Sequence, residues 1–140
     1  MRTTARLGVF VAATALLMVA CTDDAPTPPE RAIIDGWQAR LEGQTVSYHI
    51  NVGCFCPANG EWRVVERDGE VVEAEFLGEG EPGGDTPSIT LSEALRSATG
   101  ADEVDFSDVT DTGFGLSVDQ EKDAVDDEFS ITVTEFVVEA

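Results

Sequence analysis

Trp62-Arg63-Val64-Val65-Glu66-Arg67-Asp68-Gly69-Glu70-Val71-Val72-Glu73-Ala74-Glu75-Phe76-Leu77 is the stretch that decides the fold. Valines and aromatic residues alternate with charges on both sides of Asp68-Gly69, the pattern of two strands joined by a tight turn. The register follows from which residues must share a face. A two-residue turn with a regular ladder sets Trp62 against Glu75 and Val64 against Glu73, each time an apolar residue beside a charge. A three-residue loop, Arg67-Asp68-Gly69 with Gly69 left-handed, sets Val64 against Val72, Trp62 against Ala74 and Arg63 against Glu73. The second arrangement gives one apolar and one charge-paired face, and it is the one expected.

Upstream, Val46, Tyr48, Ile50 and Val52 alternate with Ser47, His49 and Asn51, which reads as a half-buried strand. Before it, Ile33, Ile34, Trp37 and Leu41 recur at helical spacing, with Pro29 suited to the first turn and Gly43 to the end. Downstream, residues 78–87 form a flexible acidic loop rich in glycine. Thr90-Leu91-Ser92-Glu93 is then a capping box, Ile89 can staple onto Ala94, and Leu91, Leu95 and Ala98 form a buried stripe that Gly100 ends. Val104 with Phe106, Leu116 with Val118, and Phe129 with Ile131 and Val133 mark three more strands. The fold class is therefore α+β: a mostly antiparallel sheet of about six strands with two helices on one face. The order helix, three strands, helix, three strands suggests a pseudo-repeat of two αβββ halves.

The N-terminus reads as an address. Arg2 and Arg6 precede an uncharged run from Leu7 to Ala20, which closes on Leu17-Met18-Val19-Ala20-Cys21. That is the build of a bacterial lipoprotein leader, cleaved before Cys21 and followed by lipid on its sulfur. A spanning helix needs about 20 apolar residues, and the polar Thr22-Asp23-Asp24 cuts this run short. The expected organisation is a signal peptide over 1–20, a lipidated Cys21 with a proline-rich tether over 21–29, and a single domain over 30–140. At ~3.1 Å per residue an extended tether from Thr22 to Pro29 reaches about 25 Å.

Charge narrows the partners. The chain has 8 Lys+Arg against 28 Asp+Glu, and loss of Arg2 and Arg6 with the leader leaves 6 against 28, a formal charge of −22. Such a field repels nucleic acid and anionic headgroups and favours a soluble monomer. The expected partners are the membrane, through lipid on Cys21, and an envelope protein or small ligand.

Tyr48, Cys54-Phe55-Cys56-Pro57, Arg67-Asp68-Gly69-Glu70-Val71-Val72, the Ile89–Leu95 helix, Gly113 and Asp126-Asp127-Glu128-Phe129 together resemble a family of exported bacterial proteins. It is the domain-of-unknown-function 6174 family. The resemblance spans nearly everything after the tether and brings no activity, substrate or cofactor with it.

Cys54 and Cys56 are the constellation best suited to chemistry. With Cys21 lipidated, they can pair with each other, with another chain or with a metal. In a regular strand residues two apart lie ~6.7 Å apart at Cα, the outer limit for a disulfide, so closure needs the kink that Gly53 and Pro57 allow. A structural disulfide is the expectation. The alternatives are a redox pair, or a copper(I) or zinc site completed by His49, although strand alternation sets His49 on the opposite face from Cys54. Asp119, Asp123, Asp126, Asp127 and Glu128 offer carboxylates of the kind calcium takes. They lack the EF-hand order, however, and Lys122 interrupts them, so a solvated loop is expected there.

No enzyme motif stands out. His49 is the single histidine and Lys122 the single lysine, and no serine sits at a strand-to-helix elbow beside a base. No cofactor is implied. The expected function is a non-enzymatic binding or interaction module, lipid-anchored outside the cytoplasmic membrane on the cell or outer membrane. The alternative is a metal-handling or redox protein using Cys54 and Cys56.

Overall fold

A computed structural model describes residues 26–54, 56–120 and 128–140. The leader, Cys21, the first part of the tether, and Asp123, Asp126 and Asp127 lie outside the described residues. The elements run α1 (Pro28–Leu41), β1 (Thr45–Gly53), β2 (Gly60–Arg67), β3 (Glu70–Phe76), α2 (Leu91–Thr99), β4 (Glu103–Thr110), β5 (Gly113–Asp119) and β6 (Glu128–Val138). All six strands join one antiparallel sheet in the order β3-β2-β1-β6-β5-β4. The fold is α+β as expected, although the element order alone does not establish a duplication. Among the described residues no helix is long and apolar enough to cross a membrane.

Both helices cover one face. Trp37 of α1 packs edge-on against Phe114 of β5 and Phe136 of β6, with ring centroids 4.7 and 5.0 Å apart. The amide of Leu91, at the start of α2, donates to the hydroxyl of Tyr48 on β1 at 3.1 Å. Tyr48 and Phe114 point the same way, because Phe114 pairs with Val133, Val133 pairs with Ile50, and Ile50 lies two residues from Tyr48. The opposite face, with Ser47, His49, Asn51, Ser130, Thr132 and Thr134, carries no helical layer among the described residues. Antiparallel sheets tolerate this because their polar residues alternate outward.

Pro29 opens helix α1 as expected, and the helix begins one residue earlier still, at Pro28 of the expected tether; in the first turn a missing N–H costs no hydrogen bond. The amide of Thr27 donates to Glu30 Oε2 at 2.6 Å, which fixes that start. Just past the acidic loop that follows β3, Ser88 N–H donates to the Ala58 carbonyl at 3.4 Å, and Ala58 N–H donates to Ser88 Oγ at 3.2 Å, which ties the chain there to the segment after Cys56.

The hairpin register differs from the expected one. Trp62 pairs with Phe76, Arg63 with Glu75, Val64 with Ala74 and Val65 with Glu73. Asp68 and Gly69 both have positive φ, 52° and 81°, so the connection is a two-residue turn of the kind that matches strand twist. A bulge between Val65 and Glu66 then sets Glu66 against Val71 and Arg67 against Glu70. The extra residue restores an apolar inner face without a three-residue loop, and it turns Val72 outward, where it is 53% exposed. Gly69 is left-handed under either register. Gly69→Val should therefore cost on the order of 1–2 kcal/mol, because a β-branched side chain clashes at that φ. Equal thermal midpoints for wild type and variant would show that the turn relaxes freely.

Candidate functional site

The inward residues of β2 are Trp62, Val64 and Glu66, and the third carries a charge where the alternation calls for an apolar group. Glu66 is 1% exposed. Its carboxylate is satisfied by neutral hydroxyls: Tyr48 Oη donates to Oε2 at 2.7 Å, and Ser92 Oγ donates to Oε1. Tyr48 in turn accepts from the Leu91 amide, so one phenol links β1, β2 and the first residue of α2. Burial, and then the Glu66 charge beside it, hold the Tyr48 hydroxyl far above the ordinary phenol range. Capping fixes α2 over this cluster, with Thr90 N–H donating to Glu93 Oε2 at 2.9 Å and Glu93 N–H to Thr90 Oγ1 at 3.2 Å.

Ser92 also faces outward. It lines a groove of about 310 Å³ between the end of α1, the β2–β3 turn and α2, whose walls include Leu41, Glu42, Asp68, Gly69 and Arg96. Three stretches far apart in the chain build it. The sequence singled out Tyr48, Asp68-Gly69 and the α2 capping box separately, but not Glu66, Ser92 in this role, or Arg96. The available cue was Glu66 itself, an acid in the apolar phase of a strand.

The cysteines lie elsewhere. Cys54 and Cys56 are half-buried and disulfide-bonded, with Cα atoms 5.2 Å apart, just past the end of β1. That separation is shorter than in a regular strand and falls within the usual Cα range for a disulfide. His49 stands five residues earlier, about 16 Å up a regular strand. Its Nε2 lies 3.6 Å from Glu135 Oε2, and it pairs with Arg63 and Thr134 rather than approaching the sulfurs. Arg63 reaches Glu75 at 4.0 Å, so acid, imidazole, guanidinium and acid follow one another across four strands of the open face. Of the calcium candidates, Asp119 and Glu128 are described, directly opposite each other across β5 and β6. Among the described residues no three His, Cys, Asp or Glu side chains are placed to hold a metal ion.

The architecture defines a two-layer α+β domain with a charged groove at the rim of its helical layer. Residues 35–138 match the family described as "Family of unknown function (DUF6174)", and the chain belongs to that family. No curated protein and no solved structure matches it.

Proposed function

We propose that the chain is an exported, lipid-anchored binding module of the bacterial envelope, non-enzymatic, with the groove between α1, the β2–β3 turn and α2 as its ligand site. The address rests on the Arg2–Cys21 leader. The observation that carries the binding role is the groove. It is concave, is assembled from three separate segments, and is backed by a buried carboxylate cluster that holds its α2 wall to the sheet. The alternative, metal handling or redox chemistry at Cys54 and Cys56, has less support, since His49 stands apart from the pair.

Two measurements test this reading. In detergent phase partition the wild-type chain is expected in the detergent phase with the mass of acyl chains, and Cys21→Ser in the aqueous phase. Unlipidated wild type found wholly in the aqueous phase would remove the anchor. In an amide-resolved NMR titration of the full-length chain in micelles with a small-molecule extract of bacterial envelope, shifts are expected at Gly43, Gly69 and Arg96. Shifts confined to His49, Arg63 and Thr134 would move binding to the open face and end the groove reading.

A further inference from the structure

We infer that the groove takes small zwitterions of the amino-acid and short-peptide class, the ligand carboxylate on Arg96 and its ammonium between Asp68 and Glu42. This rests on the groove reading above and adds the ligand chemistry.

The described arginines are unequal. Arg31 donates to the Pro26 carbonyl, and Arg67 to Thr45 Oγ1. Arg40 lies over the rings of Trp37 and Phe136 and donates to the Asp111 carbonyl, and Arg63 faces Glu75. Arg96 alone makes none of these contacts among the described residues, and it stands on the groove wall. In a chain of formal charge −20, a guanidinium left unengaged beside a cavity is an open anchor for a carboxylate, which it can bind through two parallel hydrogen bonds.

The acids on the groove wall come from other elements. Glu42 closes α1 and Asp68 sits in the β2–β3 turn, and neither is ion-paired with Arg96. The backbone thus holds opposite charges on separate walls, short of contact. Ser92 sharpens the polarity: its O–H is spent on Glu66, so toward the groove its oxygen can only accept, which suits an N–H donor. The buried Glu66 charge behind it adds negative potential through a medium of low polarisability. Leu41 provides apolar contact, Gly43 and Gly69 leave room, and about 310 Å³ fits a ligand of amino-acid or dipeptide size.

The probes are dialanine, its N-acetyl form and its C-terminal amide, titrated by calorimetry and amide-resolved NMR into the full-length chain in micelles. Dialanine should bind and shift Gly43, Gly69 and Arg96, and each blocked form should bind about tenfold more weakly, as expected for loss of one charge-assisted anchor. Arg96→Gln should abolish the preference for dialanine over its amide. Asp68→Asn, which tolerates the same backbone φ, should reduce the preference over the acetylated form. Equal binding of all three probes, or none by folded wild type up to about 10 mM, would overturn the proposal. A ligand of other chemistry shifting the same amides would overturn the ligand class and leave the groove standing; shifts confined to the open face would overturn both.

Discussion

Gly113→Val is expected to unfold the domain or to lower its stability by about 3 kcal/mol or more, near the upper range for overpacking. Gly113 is buried where β5 starts against β6. A Cβ there would lie 2.0 Å from the Val133 carbonyl oxygen, 2.9 Å from its carbon and 3.1 Å from Thr134 Cα. Those atoms belong to the backbone of a strand hydrogen-bonded on both sides, so no side chain can swing away to make room. Even Gly113→Ala should lower the melting midpoint, by on the order of 10 °C. Gly36→Ala is the control, since nothing lies within 4 Å of its Cβ position on the exposed side of α1. An alanine at 113 that melts with wild type would show that β5 and β6 separate at little cost.

Alkaline unfolding led by one phenol is the second large effect expected. Tyr48 is the single tyrosine of the chain, and its hydroxyl is held above its ordinary range by burial and by Glu66. In the unfolded chain a phenol ionises near pH ~10, while the folded chain keeps Tyr48 protonated well beyond that. The stabilisation is therefore complete below pH ~10 and is lost above it, by about 1.4 kcal/mol per pH unit. Tyrosinate absorbance at 295 nm should rise only together with loss of far-ultraviolet ellipticity. Ionisation near pH 10 in a fully folded chain would contradict the described burial. Tyr48→Phe should remove this slope and cost about 3 kcal/mol at neutral pH, because Glu66 Oε2 loses its donor and the Leu91 amide its acceptor.

Local patterns carried much of the architecture. The stripe of Ile34, Trp37 and Leu41, the alternation from Val46 to Val52 and the Thr90–Glu93 capping box all appear where their spacing placed them. The hairpin register was not legible, because alternation distinguishes a regular ladder from a longer loop, and the bulge between Val65 and Glu66 is neither. A second bulge lies between β1 and β6, where Glu135 takes a φ of 54° and Phe136 returns to the core three residues after Val133 rather than two. That break in alternation was visible in the sequence but has no local cause; it depends on the ring of Trp37 waiting at 5.0 Å. The groove was the least legible, because Asp68, Ser92 and Arg96 meet only once two helices and a hairpin have docked. Cys54 and Cys56 drew attention through chemistry that is common in exported chains, whereas Glu66 looked like one acid among 28.

The strand order has a consequence for biogenesis. β6, the last strand in the chain, lies in the middle of the sheet between β1 and β5. Until residues 128–138 emerge, the β1–β3 and β4–β5 parts each present an unpaired inner edge, and the pairs that close β1 onto β6 join residues 46–53 to residues 130–138. Pairings of such long sequence separation form slowly. The sheet therefore closes late, in one step that joins β6 to both parts at once. Fragments that stop before Glu128 keep two open strand edges, and such edges are templates for pairing with other chains.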